Sequence, residues 1–241
     1  MKRNSYFNRP SNILLAFIFL IPLVFSACKK SSDTGGNNTS AALMAFNLIT
    51  DKPSIGFAIS GNNLTSAPLL YTNYTGNYLP IFIGSREVES YDFTADSSIA
   101  TASGNFEANK YYSVFAVGSN GNYSNIIVND DLDTLTSASG NAFVRYINAI
   151  PDSSKPMVTV SSNGTSAVSS NAPYATISDF TGVTPGDYTV GVNNETNISA
   201  TRTITLEKDK VYTVLLTGTP QATDSARAVQ IKFITNGTLT P

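Results

Sequence analysis

Residues 107–118 read EANKYYSVFAVG, and residues 207–218 read EKDKVYTVLLTG. Glu, Lys, Tyr, Val and Gly recur at a spacing of 100 residues. Other parts keep a similar offset. ALMAFNLITD from Ala42 answers AFVRYINAIPD from Ala142 with one inserted residue, and Tyr74 sits opposite Tyr174. An offset held over most of a chain marks a duplicated unit. Whatever one copy folds into, the other must fold into as well. The joint is expected near TSASGN, residues 136–141, a small and polar stretch between apolar runs.

Within each copy the hydrophobic period is two. In DYTVGVNN, Tyr188, Val190 and Val192 fall on one side and Thr189 and Gly191 on the other. In AVQIKFIT, Val229, Ile231 and Phe233 alternate with Gln230 and Lys232. This pattern predicts antiparallel strands with one buried and one wet face. Pro185 and Gly186 form a turn that feeds the strand carrying Tyr188. Charged residues are only 13% of the chain, while Thr, Ser, Val and Tyr are abundant. Long helices cover their surfaces with Glu, Lys, Leu and Ala, whereas this stock suits pleated surfaces and turns. The fold class expected is all-β: two tandem antiparallel β-sandwich modules, Ig-like or transthyretin-like, over residues 41–136 and 141–241. With one cysteine in the chain, no internal disulfide can form, so each core must hold its own module.

The second copy resembles a family of envelope domains of unknown function, family 4397. The residues that carry the likeness are VRYINAIPDS (144–153), VTV (158–160), TPGDYTV (184–190) and DKVYTVLLTG (209–218). They span about residues 142 to 235. The first copy is more divergent. It keeps Asn47 and Asp51 but has no counterpart of Pro151, and GSREVESYDF stands where the second copy has its Pro-Gly turn. The resemblance implies a β-sandwich in an extracytoplasmic protein, and no activity.

The N-terminus carries an address. Lys2, Arg3 and Arg9 precede the uncharged run ILLAFIFLIPLVF, and Ser26 and Ala27 precede Cys28. A basic start, a short apolar core and small residues make a secretory signal peptide, expected over residues 1–27. The apolar run has 13 residues, short of the roughly 20 that a spanning helix needs. Its end resembles the lipobox of bacterial lipoproteins, with Phe25 where leucine is usual. That likeness implies a lipid on Cys28. It also gives a use to a lone thiol, which would otherwise be a liability in an oxidising compartment. Residues 28–40 then form a lipidated tether, since KKSSDTGGNNTS contains no apolar residue to order it. By the same resemblance, Lys29 permits sorting to the outer membrane, on its periplasmic or cell-surface face.

Composition also excludes chemistry. Of 15 basic residues, three precede residue 27, so the mature chain has 12 against 17 acids, a net charge of −5. No basic patch exists to bind nucleic acid. There is no histidine, which removes His-based triads and the commonest transition-metal ligand. No Ser stands in a Gly-x-Ser-x-Gly turn. Neither a cofactor nor a metal is expected.

Several residues are nevertheless candidates. Asp130, Asp131 and Asp133 could offer oxygens to calcium, but lack the glycine and glutamate of an EF-hand loop and read better as a solvated loop. Glu87 and Glu89 could act as paired glycosidase carboxylates, but read better as a wet strand face. Asn148, Pro151 and Asp152 read as turn formers. Tyr188 and Tyr212 could line a sugar-binding surface but suit a core with the hydroxyl reaching out. Thr134 in DTL and Ser225 in DSA resemble the O-glycosylation signal of Bacteroidetes. The function expected is non-catalytic: binding, adhesion or scaffolding in the cell envelope, with a glycan or protein partner and a membrane anchor at Cys28. The alternative is an extracytoplasmic hydrolase acting on glycans or peptides through carboxylates.

Overall fold

The computed structural model describes residues 40–136 and 140–239. The expected signal peptide (residues 1–27), Cys28 with its expected lipid, and the expected 28–40 tether up to residue 39 lie outside the described residues, and Ser40 already belongs to the first strand. The first repeat contributes β1 (Ser40–Ile49), β2 (Ser54–Ile59), β3 (Asn62–Asn63), β4 (Leu69–Leu70), β5 (Leu79–Phe82), β6 (Gly84–Asp92), β7 (Ser97–Phe106), β8 (Tyr111–Ser119) and β9 (Asn122–Asn129). A single 3₁₀ turn, Leu132–Thr134, follows. The second repeat contributes β10 (Ala142–Asn148), β11 (Met157–Ser162), β12 (Thr165–Asn171), β13 (Thr181–Val183), β14 (Gly186–Asn193), β15 (Ser199–Leu206), β16 (Lys210–Thr217) and β17 (Gln230–Thr238). No α-helix occurs among the described residues.

The strands form four sheets, in the orders β5-β1-β8-β9, β3-β2-β6-β7, β13-β10-β16-β17 and β12-β11-β14-β15. The second repeat reproduces the first strand for strand, apart from the two-residue β4. Each repeat is a sandwich of two sheets, as the sequence leads one to expect. One detail differs from a purely antiparallel design. β1 pairs with β8 in parallel, and β10 pairs with β16 in parallel. A parallel pair needs a long crossover, and here almost the whole repeat supplies it.

The duplicated sequence motif has structural reasons. Tyr112 and Tyr212 are buried, and each phenol oxygen accepts a hydrogen bond from the backbone N–H of Glu107 or Glu207, at 3.0 and 3.1 Å. The bond closes the turn into β8 or β16. Gly118 and Gly218 end those strands at φ +142° and +104°. A Cβ at Gly118 would lie 2.3 Å from the Asn122 carbonyl oxygen, and one at Gly218 would lie 2.2 Å from that of Ala228. Only glycine fits either place.

Three apolar clusters order the layers. Leu43, Ala45, Tyr112 and Val114 pack against Ile55, Phe57, Val88 and Phe106 inside the first sandwich. Val144, Tyr146, Tyr212 and Val214 pack against Val158, Val190, Val192 and Ile204 inside the second. The third cluster joins the repeats: Met44, Phe46, Leu48, Phe115 and Val117 meet Ile147, Ala149, Leu215 and Ile234. Each large side chain buried this way contributes about 1.5–3 kcal/mol. The seam between the repeats is therefore a core in its own right.

This seam corrects one expectation. A wet second face does hold in the outer sheets, as on β14, where Asp187 and Thr189 are exposed between buried Tyr188, Val190 and Val192. In the central sheets it fails. β10 is buried at every position, and β16 at all but its first. On β17, Ile231 and Phe233 face their own sandwich, but Ile234 joins the seam. The face that period-two reading assigns to water is covered by the other repeat.

Candidate functional site

Within the apolar seam lies a polar island. It is built by Tyr78, Ser113 and Asp130 of the first repeat and Arg145, Thr213 and Asn236 of the second. Arg145 sits in the middle of β10 and points out of its own sandwich, on the side of Ile147. The adjacent parallel strand places Thr213 beside it. Arg145 Nη2 lies 2.7 Å from Asp130 Oδ1, and both side chains are almost wholly buried. This ion pair, with the two hydrogen bonds that Oδ2 accepts, compensates the buried carboxylate.

The other contacts close a ring. Ser113 Oγ donates to Asp130 Oδ2 at 2.7 Å, and the Tyr78 hydroxyl donates to the same oxygen. Arg145 Nε donates to Thr213 Oγ1 at 3.0 Å, and Nη2 donates to Ser113 Oγ at 3.1 Å. Thr213 Oγ1 donates to Asn236 Oδ1 at 2.6 Å, and Asn236 Nδ2 donates to the Tyr78 oxygen at 3.2 Å. The guanidinium also lies 4.4 Å from the Phe180 ring centroid and 5.8 Å from that of Phe115. Burial, aided by the neighbouring Asp130 charge, pushes the Tyr78 phenol well above its usual pKa. Tyr78 therefore stays a proton donor to Asp130 at neutral pH.

A cavity of about 340 Å³ opens on this island. Asp130 and Arg145 form part of its wall, with Asp131 and Asp179 beside them and Phe180 and Leu135 among the apolar residues. Asp131 holds a left-handed backbone at φ 43° and caps the 3₁₀ turn. Asn129 Oδ1 accepts a hydrogen bond from its N–H at 3.2 Å.

The candidates from sequence fare differently. Asp130 was expected in a solvated loop together with Asp131 and Asp133, and that is corrected: Asp130 is 2% exposed. Its neighbour strand β10 brings Arg145 to it from across the seam, so burial is compensated by charge. Asp133 is exposed, and Lys110 Nζ binds its carboxylate at 2.6 Å and holds its pKa below the usual range. Among the described residues no three acidic, His or Cys groups converge as metal ligands. Glu87 and Glu89 lie on β6, opposite Ser103 and Thr101, on the face away from buried Val88. Tyr188 and Tyr212 are core residues, and the Tyr188 hydroxyl donates to the Thr184 carbonyl at 3.1 Å. Asn148 and Asp152 act as turn formers. Asn148 Oδ1 accepts the Ile150 N–H at 3.1 Å while its Nδ2 reaches the Ala172 carbonyl at 2.8 Å, and Asp152 Oδ1 accepts the Ser154 N–H at 2.7 Å. Thr134 and Ser225 are both exposed, Thr134 beside the cavity. Cys28 lies outside the described residues.

The sequence does hold one signal for the missed pair. Arg145 is a lone charge in AFVRYIN, where its counterpart in the first copy is Met44. A charge in a strand of core residues requires a buried partner.

Fold and site together define a class: a tandem β-sandwich protein whose repeats fuse through a buried seam, with a polar cavity at the junction. The chain belongs to the family described as Domain of unknown function (DUF4397), whose model matches residues 41–155 and again residues 142–238. No curated protein matches the chain.

Proposed function

We propose that this protein is an envelope lipoprotein, held at the outer membrane by a lipid on Cys28, that binds a partner without catalysis. The observation that carries the binding reading is the junction cavity. Its charged floor is already spent. Arg145, Asp130, Ser113, Thr213, Asn236 and Tyr78 satisfy one another, so they hold a shape and are poorly placed to shuttle a proton. Catalytic acids and bases need a reachable proton at the reacting atoms. Glu87 and Glu89, on the outward face of β6, do not line this cavity, which counts against a carboxylate hydrolase. The anchor rests on the sequence order that ends in Cys28. Thr134 and Ser225, both exposed, remain the proposed glycan carriers.

Two measurements test this. Cys28→Ala is expected to move the protein from the membrane to the soluble fraction. The mature protein is expected to retain ligands from an array of envelope glycans and proteins while turning over no polysaccharide or peptide. Retention on the membrane by Cys28→Ala would overturn the anchor, and turnover lost on changing Glu87 and Glu89 would overturn the binder.

A further inference from the structure

The repeats also differ at the tip that follows β5 and β13. Ile81 pairs with Ala41, and Val183 pairs with Ala142, so Phe82, Ile83 and Gly84 match Thr184, Pro185 and Gly186. The second repeat has no large apolar side chain there, and the Tyr188 hydroxyl donates to the Thr184 carbonyl at 3.1 Å. In the first repeat Arg86 takes the place of Tyr188. Its Nε and Nη2 donate to the Ile83 carbonyl at 3.3 and 3.2 Å, and its guanidinium lies 5.8 Å from the Phe82 ring centroid. Arg86 thus braces a tip whose apolar side chains face water: Phe82 is 78% exposed and Ile83 38%.

Tyr111, 43% exposed, stands at the same end. Ser40 pairs with Phe82 and Ala42 with Tyr111. Residues two apart on a strand share a face, so Phe82 and Tyr111 flank the start of β1 on one face of its sheet. Of the five large apolar side chains exposed among the described residues, three gather here. A cleft of about 390 Å³, lined by Ile59, Leu64, Leu79 and Ile81, continues the apolar surface from Phe82. Edge strands are ordinarily guarded by charge or proline. The edge strand β5 has Pro80 but ends in bare Phe82.

The place of this patch says what covers it. Ser40, the strand partner of Phe82, follows Cys28 by twelve residues, at most about 40 Å of chain. A bilayer that holds a lipid on Cys28 lies within that reach. Anchoring makes a second, weak contact intramolecular, and aromatic and aliphatic side chains insert favourably at the headgroup boundary. The mature chain has a net charge of −5, so attraction to anionic lipid is not the driving force. We propose that Phe82 and Ile83, with Tyr111 beside them, insert into the interface of a phospholipid bilayer and dock the first repeat on the membrane. This inference rests on the anchor reading above and adds a non-covalent contact to it.

The chain has no tryptophan, and Cys28 is its only thiol. Phe82→Trp therefore introduces a single fluorophore, and coupling Cys28 to a maleimide phospholipid supplies an anchor whether or not the cell lipidates it. The mature chain from Cys28 is tethered in this way to phosphatidylcholine vesicles with and without brominated acyl chains. Emission of the Phe82→Trp variant is expected to fall at least about twofold in brominated vesicles. The loss should persist in about 0.5 M salt, which screens exposed charges. Thr223→Trp, which lies near Thr50 at the far end of β1, should lose almost nothing, and adding Ile83→Ser to Phe82→Trp should reduce the quenching. Both tryptophan variants should keep the melting temperature, since positions 82 and 223 are exposed. Equal quenching at the two positions, or none at position 82, overturns the proposal. A blue shift of the Phe82→Trp variant that grows with protein concentration in the absence of vesicles also overturns it, because a second copy then covers the tip. If position 82 is quenched while Cys28→Ala stays on the cell membrane, docking stands and the anchor falls. If Cys28→Ala leaves the membrane while position 82 is not quenched, the anchor stands and docking falls.

Discussion

The two repeats have the same topology and differ where they meet. At matching positions of the first strand stand Met44 and Arg145, beside Ser113 and Thr213 in turn. One residue past the strand partners of Tyr112 and Tyr212 stand Asp130 and Asn236. The first repeat therefore brings a neutral side chain and an acid to the seam, and the second brings a base and an amide. An identical pair would place two acids, or two bases, in the same apolar layer. Divergence at these positions turns a self-similar seam into a complementary one. The outer sheets carry no such requirement. There the repeats differ freely, as the Pro-Gly turn of the second and GSREVESYDF of the first show.

The largest effect should come from cutting the repeats apart. Fragments 41–136 and 141–241 each keep a core of their own. Each is expected to melt cooperatively, below the melting temperature of the whole chain, because Phe46, Phe115, Ile147 and Leu215 lose their cover. Mixed, they should form a one-to-one complex, seen by sedimentation. Fragments that ignore each other would break the comparison.

Arg145→Met is the next largest. It gives both repeats the same residue and strands Asp130 without its counter-charge. The expected loss is about 3–5 kcal/mol, read from urea midpoints. Adding Asp130→Asn makes the seam neutral and alike on both sides, and should recover most of that loss. A double variant as unstable as the single one would mean that the ring fixes the seam by shape rather than by charge.

A smaller effect tests what the repeats share. Gly118→Ala and Gly218→Ala should each cost about 1–3 kcal/mol, since each forces a Cβ against a backbone carbonyl at positive φ. Unequal losses would show that the equivalence of the two strand ends is only formal.

The smallest effect is at alkaline pH. Burial raises the Tyr78 phenol above its unfolded value near 10. A raised value means that its contribution is fully present below about pH 10 and is lost as pH rises beyond it. Urea midpoints should fall above pH 10, and Tyr78→Phe, although less stable at pH 7, should fall less steeply. An identical slope in the variant would remove Tyr78 as the source.

How much of this was legible in the sequence follows from the range of each signal. The duplication, the all-β class and the strands around Tyr188 and Tyr212 were legible because they depend on local period and on a repeated turn. Asn148 and Asp152 were legible as turn formers for the same reason, since each side-chain oxygen accepts a backbone N–H only two residues further on. Asp130 was not. Read locally, NDDLDT is a solvated loop; in the fold its first aspartate is sealed under a strand that begins after the joint. The wet faces assigned to the central strands failed in the same way. A period of two reports that a strand has two faces, and only the packing of one repeat on the other decides that both are dry. The sequence by itself determined the modules, their strands and the motif that ends in Gly118 and Gly218, because those are settled by short-range sterics and hydrogen bonds. The tertiary structure alone decided the seam, the pairing of Arg145 with Asp130 and the cavity they floor, because burial and charge compensation depend on surfaces that meet only after each repeat has folded.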